Sequence, residues 1–355
     1  MTRQILESGF HNFVLGRFRH SQLAIGLAAA AMMWFGVAGA ADAQASAEPM
    51  APIALPAGFL YPNGVTQAPD GRLFVGSVVS GRIAMIDGDA VGRFDVDDPS
   101  VFAGTTLRFD AAAGRLWGAS PDFLGTEQPD GTVKRRAHRI FARDTKSGVV
   151  DVVLMIPQSG FGNDIAIGAD GTLFVTDTRL PRILTLPPGA SRFTVLIADP
   201  QLSSDGEGTK GIGAAGIALA PDGQTLLVGI YGSGEVFAIE RTETAAARSR
   251  RIVLQRPLEN PDGFAIDRKG DLLLVEGGVA SGNGKLTRIV DPLADGKRPV
   301  QTLVEGLDIP VNLLIDAADP NLVYVTESGL GHRFTPSRRS GTPPETFYVR
   351  RYRLD

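Results

Sequence analysis

Four polar residues stand at one place in a recurring motif, just before a short apolar strand: Asn63, Asn163, Asp262 and Asn312. Any one of them has an ordinary structural explanation, because Asn and Asp bond nearby backbone groups and cap turns. Their recurrence favours a functional explanation, since side chains at one repeat position converge on one place in the fold. Asp262 is the only carboxylate among them, so it is the candidate for acid–base chemistry.

The motif opens a unit made of a short apolar strand, a turn, an alternating second strand, a loop and a third strand. Six units begin at Asn63, Thr106, Asn163, Ala215, Asp262 and Asn312. Their spacing of about 42 to 57 residues matches one four-stranded propeller blade per unit. The sequence therefore predicts an all-β protein, a six-bladed β-propeller with four-stranded antiparallel blades.

Strand order then places the candidate residues. The first strand of each unit is innermost, so its opening residue stands at one mouth of a central channel. The loops between second and third strands return to that mouth, and two of them, Ser120–His138 and Glu327–Thr346, are long. Long loops on a rigid scaffold are where binding sites are usually built. The turn aspartates Asp70, Asp170 and Asp222 lie at the opposite end, where we interpret them as structural.

Aromatic residues and one histidine complete the candidate site. Tyr61, Phe161 and Tyr231 fall near the predicted mouth and are expected to line a substrate pocket, although packing between blades is the alternative. His332 lies in the last long loop, and histidine changes charge near neutral pH. An inert surface histidine is the alternative there. We predict these four residues as substrate-binding.

Composition excludes several classes of function. The formal net charge is -4, so there is no basic field for nucleic acid or acidic membranes. With no cysteine, the chain has neither disulfides nor a thiolate nucleophile. No G-x-S-x-G, H-E-x-x-H or Walker motif occurs. We expect a monomer with a small-molecule substrate.

The N-terminal region differs from the rest. An apolar run from Leu23 to Ala40 follows two arginines and precedes small-residue sites, a pattern typical of a cleaved secretory signal peptide. An uncleaved membrane anchor is the alternative. We predict a signal and processing region at 1–45, a linker at 46–57 and the propeller at 58–355. The expected location is periplasmic or secreted, with no membrane contact after cleavage.

Three stretches carry a more specific resemblance: "YPNGVTQAPDG", "GNDIAIGADGTLFVTDT" and "NPDGFAIDRKGDLLLVEGG". They resemble the senescence-marker-protein/gluconolactonase (regucalcin-like) family of calcium-dependent lactonases. More distantly, they are similar to paraoxonase-like and strictosidine-synthase-like propellers. The resemblance covers all six units. It implies a divalent metal, Ca²⁺ first, which polarises a lactone carbonyl while a carboxylate activates water.

The resemblance also assigns residues. Asp262 falls on the metal-binding aspartate and candidate base, and Asn163 on the asparagine of the "ND" motif. Asn63 falls at or beside the position where the family has a glutamate in its first blade. Two positions depart from the family, because Ala215 stands where a fourth-blade asparagine ligand is expected and Phe161 where sugar-acid lactonases often have arginine.

These departures leave alternatives open. The metal is held by Asn63, Asn163, Asp262 and Asn312 with added waters, or a loop carboxylate restores charge, or no metal binds. The candidate loop carboxylates are Asp122, Glu207 and Glu276. The leading hypothesis is metal-assisted hydrolysis of a lactone or related ester. A non-enzymatic, NHL-like binding propeller with a degenerate metal site, and lyase or condensation chemistry on the same scaffold, are the alternatives.

Overall fold

The computed structural model describes residues 46–242 and 246–355. Within these ranges the chain forms six four-stranded antiparallel sheets and one two-stranded hairpin. The predicted six-bladed β-propeller is confirmed. The predicted signal region at 1–45 lies outside the described residues. No helix in the described ranges is long and apolar enough to cross a membrane.

The ring is closed by a strand that the sequence did not reveal. Strand β1 (Ala47–Ala54) pairs antiparallel with the last strand of the chain, from Ala47 opposite Leu354 to Ala54 opposite Tyr348. The predicted linker at 46–57 is therefore wrong over these residues. Pro49 and Pro52 fall within β1, where proline is tolerated because β1 is an edge strand, and the pairing shifts register around Pro52.

Each blade is ordered from the channel outwards. Blade 1 contains β2 (Pro62–Gln67), β3 (Leu73–Ser77), β4 (Ile83–Asp87) and β5 (Ala90–Arg93). Blade 2 contains β6 (Thr106–Asp110) and β7 (Arg115–Ser120), then the separate hairpin of β8 (Thr126–Glu127) and β9 (Val133–Lys134), and then β10 (Arg139–Asp144) and β11 (Val150–Met155). Blade 3 contains β12 (Gly162–Ile167), β13 (Leu173–Asp177), β14 (Arg182–Leu186) and β15 (Thr194–Ala198).

The remaining blades repeat this plan. Blade 4 contains β16 (Ala214–Leu219), β17 (Thr225–Ile230), β18 (Val236–Glu240) and β19 (Arg248–Ile252); blade 5 contains β20 (Pro261–Ile266), β21 (Leu272–Glu276), β22 (Gly284–Ile289) and β23 (Val300–Leu307); blade 6 contains β24 (Pro310–Ile315), β25 (Leu322–Glu327), β26 (Tyr348–Leu354) and β1. The described helical segments are one α-helical turn, α1 (Gly331–Phe334), and the 3-10 turns Pro157–Ser159, Pro200–Leu202, Gly208–Gly211 and Pro336–Arg338.

The core lies between neighbouring blades. Phe74 of blade 1 packs with Leu107 and Phe141 of blade 2, and all three side chains are fully buried. Full burial of such a side chain stabilises the fold by about 1.5–3 kcal/mol. The inner strands contact their neighbours around the channel. The packed blades thus hold those strands as a rigid frame.

Turns at the far end of the hairpins have the structural role that we expected. The Asp170 carboxylate accepts the backbone N–H of Thr172 at 3.0 Å and its hydroxyl at 2.7 Å. Gly171 follows with φ of +83°, a conformation that glycine adopts without strain. The same contacts join Asp222 to Thr225. These aspartates define hairpins and leave the channel to other residues.

Candidate functional site

Five of the six inner strands begin with a β-bulge, in which two residues oppose one residue of the neighbouring strand. In β2, Pro62 pairs with Ser77 and Val65 with Val75, so two residues of β2 oppose one of β3. Equivalent register shifts occur in β12, β16, β20 and β24, whereas β6 is regular. The five pairs are Asn63-Gly64, Asn163-Asp164, Ala215-Gly216, Asp262-Gly263 and Val311-Asn312. Such bulges re-aim side chains and are common beside active sites.

The bulges sort the four predicted ligands into two sets. Asn63, Asn163 and Asp262 are the first residues of their pairs and are structurally equivalent. Asn312 is the second residue of its pair, so Val311 takes the equivalent position on blade 6. Asn312 Oδ1 accepts the N–H of Leu313 at 3.1 Å. The sequence alignment of the sixth unit was therefore wrong by one residue.

The amides of the first set retain free oxygen atoms. Asn163 Nδ2 donates to Thr178 Oγ1 at 3.0 Å, while its Oδ1 accepts no hydrogen bond from the described residues. The side chain of Asn63 makes no hydrogen bond within those ranges. Both residues are half-buried. Two oxygen donors are thus available at the strand starts of blades 1 and 3.

Asp262 has an unusual electrostatic setting. It is half-buried, and within residues 46–242 and 246–355 it forms no salt bridge. Burial, followed by the neighbouring charge of Asp164, raises its pKa well above the ordinary value; the N–H of Gly263 and the guanidinium of Arg108 oppose this shift. Asp262 is therefore a carboxyl group poised to exchange a proton nearer neutral pH than an ordinary aspartate.

Sequence reasoning missed two charged residues of the channel, Asp164 and Arg108. Asp164 is 2% exposed and accepts Thr106 Oγ1 at 2.6 Å and Arg108 Nη2 at 2.8 Å. Its second oxygen accepts the N–H of Ile217 at 3.2 Å, so this carboxylate joins blades 2, 3 and 4. Arg108 Nη1 also lies 3.5 Å from Asn312 Oδ1. An aspartate directly after Asn163 was the available signal.

The loop carboxylates proposed to add charge are engaged elsewhere or exposed. Buried Glu276 accepts two hydrogen bonds from Arg256, at 3.0 and 2.6 Å. Burial raises the pKa of Glu276, but the hydrogen bonds that it accepts, first that from Arg256, outweigh burial and lower it. Asp122 pairs with Arg136 at 3.1 Å, and Glu207 is exposed. Glu276 and Asp122 therefore hold the loops that contain Arg256 and Arg136.

The predicted substrate-binding residues fall into three places. Tyr61 and His332 come together, with the Tyr61 hydroxyl 3.3 Å from His332 Nε2. Burial raises the pKa of Tyr231, and the negative charge of nearby Asp262 raises it further. Phe161 lies apart from both and packs edge-on against His138, with ring centroids 4.5 Å apart. Tyr231 also packs against the apolar cluster that contains Tyr61.

The donors at the mouth are mostly neutral. In the part of the chain that the structure describes, no three His, Asp or Glu side chains form a group that could hold a metal ion. The available set is two amides and one carboxylate. Such a set suits a hard cation chemically, but a low count of negative ligands weakens affinity.

Comparison with known proteins rests on structure alone, since no family model and no curated protein sequence matches the chain. A gluconolactonase from Xanthomonas campestris is 18% identical with a TM-score of 0.57, covering 88% of this chain and 98% of that one. Virginiamycin B lyase from Staphylococcus aureus is 14% identical with a TM-score of 0.54, covering 86% and 99%.

A third similar structure is the PQQ-bound aldose sugar dehydrogenase from Streptomyces coelicolor, 16% identical with a TM-score of 0.56 and coverage of 88% and 99%. The chain is thus a six-bladed β-propeller that structurally matches gluconolactonases and related lyases and sugar dehydrogenases. At these identities the likeness establishes the fold.

Proposed function

We propose that this protein is a hydrolase that opens a lactone or related ester at the channel mouth, with Asp262 as its general base. The observation that carries the proposal is Asp262 itself, a half-buried carboxylate with a raised pKa and no ion pair in the described ranges. Perturbed carboxyl groups of this kind are concentrated at functional sites. The structural likeness to gluconolactonases supports the choice of reaction.

The chemistry requires a base and a water molecule. Ionised Asp262 takes a proton from water as the water oxygen attacks the carbonyl carbon of the ring ester. The bond from that carbon to the ring oxygen breaks, the ring oxygen takes up the proton, and a hydroxy acid leaves. A general base contributes about 10²–10⁴-fold in rate and acts best with a pKa near the working pH.

A divalent cation, Ca²⁺ in first place, fits the same residues. Asn63 and Asn163 have amide oxygens free of hydrogen bonds from the described residues, and Asp262 supplies the negative charge. When bound, the cation would supply a Lewis acid for the substrate carbonyl. Asn312 is left out of this set because its Oδ1 already accepts a backbone N–H.

The proposal includes a cellular setting. A signal-like N-terminal sequence supports a periplasmic or secreted protein. A net charge of -4 supports a small-molecule substrate over nucleic acid. A monomer is proposed because one chain closes the whole ring.

The test is a lactone hydrolysis screen of purified protein with and without chelator. We expect turnover of at least one lactone by the parent protein, a loss of about 10²–10⁴-fold in Asp262→Asn, and parent activity in the control Asp170→Asn. If Asp262→Asn hydrolyses its substrate at the parent rate, the catalytic role fails. If the parent turns over nothing, a non-enzymatic binding propeller takes its place.

A further inference from the structure

A cavity opens beside the channel mouth. Its volume is about 380 Å³, and it is lined by Tyr61, His332, Arg333, Arg339, Gly341 and Pro343. Tyr61 immediately precedes β2, and the other five residues belong to the loop between β25 and β26. The cavity therefore lies where the longest loop of the mouth meets the start of blade 1.

His332 is a buried polar group with an unused nitrogen. The side chain is 8% exposed, and its Nε2 meets the Tyr61 hydroxyl at 3.3 Å. Nδ1 is buried and has no hydrogen-bond partner among residues 46–242 and 246–355. A buried polar atom left unsatisfied costs about 1–3 kcal/mol, so a ligand that bonds Nδ1 would recover that free energy.

Two arginines give the cavity an uncompensated positive charge. The loop contains Arg333, Arg338 and Arg339, and only Arg338 is neutralised, through Asp308 at 3.3 Å. Arg333 and Arg339 form no salt bridge with any residue in the described ranges, and both are exposed. Guanidinium groups match carboxylate and phosphate geometry through paired N–H donors.

We propose that this cavity binds an oxyanion, a carboxylate or phosphate, through Arg333, Arg339 and the imidazole of His332. The proposal rests on the proposed function in one respect: the oxyanion is the acidic group of the lactone or ester opened at Asp262. The preferred substrate is then an acidic lactone rather than a neutral one.

Binding is tested first without any hydrolysable compound. Thermal melts and ¹⁵N NMR of the His332 ring are recorded for the whole protein with inorganic phosphate and with acetate. We expect at least one anion to raise the melting temperature and shift the His332 resonances. Both effects should disappear in the double variant Arg333→Gln, Arg339→Gln and remain in Arg192→Gln, which removes an exposed arginine from a blade 3 loop. Identical responses in all three proteins overturn the proposal.

Substrate preference is tested with matched lactones. Gluconolactone is compared with its 6-carboxylate and 6-phosphate counterparts, which separates the two sources of the oxyanion. We expect KM for one acidic lactone to be about tenfold lower than KM for gluconolactone, because one charge-assisted hydrogen bond contributes about that factor. In the double variant, KM for the acidic lactone should rise to the KM for gluconolactone. Hydrolysis with equal KM for all three lactones overturns the substrate inference alone. Absence of all hydrolysis, with anion binding intact, overturns the proposed function and with it the acidic substrate.

Discussion

Arg108 Nη2 lies 2.8 Å from Asp164 Oδ1, so a guanidinium from blade 2 neutralises a buried carboxylate of blade 3. The Asp164 side chain is 3% exposed and that of Arg108 is 18% exposed. The same pair acts on Asp262 with opposite signs, because Asp164 raises its pKa and Arg108 lowers it. The ion pair therefore links the stability of the channel to the protonation of the proposed base.

Arg108→Gln should destabilise the protein by about 3–5 kcal/mol, because it leaves the Asp164 charge buried without its partner. Urea denaturation measures the change in the free energy of unfolding. The double variant Arg108→Gln, Asp164→Asn should recover part of that loss, since the uncompensated charge is gone. A single variant as stable as the parent would show that the pair contributes little.

The activity of the parent should rise with pH through the raised pKa of Asp262, because only the ionised carboxyl group accepts a proton. Removing the positive charge of Arg108 raises that pKa further. The rising limb of kcat/KM against pH should therefore move to higher pH in Arg108→Gln. A limb unchanged from the parent would mean that another group controls the profile.

Asp262→Asn should stabilise the metal-free protein at neutral pH. A folded pKa above the unfolded one means that the folded state binds the proton more tightly, so stability is greatest below the unfolded pKa and falls as pH rises through the folded one. Asparagine does not ionise, so the Asp262→Asn variant does not lose this stability as the pH rises. Denaturation with chelator at about pH 3 and pH 7 should give equal stabilities at the low pH and a more stable variant at the high pH. A less stable variant at pH 7 would contradict the assignment.

Added Ca²⁺ should raise the melting temperature of the parent, because a ligand that binds only the folded state stabilises it, by about 2.7 kcal/mol at 100 times its Kd. The rise should be absent in Asp262→Asn and reduced in Asn163→Ala. It should persist in Asn321→Ala, which removes an exposed amide from a turn before β25. Equal responses in all four proteins would place any cation elsewhere.

Removing the chain up to Ala54 should lower the free energy of unfolding by at least about 3 kcal/mol, because it uncovers the buried side chains of Tyr352 and Leu354 beside β1. A truncation that ends before Ala47 is the matched control and should retain the parent stability. Guanidinium denaturation compares the two. A propeller equally stable without β1 would show that closure contributes little.

The architecture could be predicted because it repeats: one hydrophobic pattern recurs at each unit, and each aspartate-glycine turn marks a hairpin. Of the candidate site, the sequence could predict only the shared position at the start of the inner strands, which Asn63, Asn163 and Asp262 occupy in the structure. Asn312 was assigned to the wrong register because the first turn of blade 6 is longer: five residues separate the paired Gln67 and Leu73 in blade 1, and seven separate the paired Ile315 and Val323 in blade 6. The contact between Arg108 and Asp164 joins two blades, and no local pattern reports a partner from another unit.

The pairing of β1 with β26 has a consequence for how the chain folds. The two strands are almost the whole described sequence apart, so this contact is formed only after the other units are available. Until then β1 is a lone strand with unpaired backbone groups, a template for association with other chains. Pro49 and Pro52 each remove an N–H from that template. We therefore expect Pro49 and Pro52 to oppose the association of unpaired β1 with other chains.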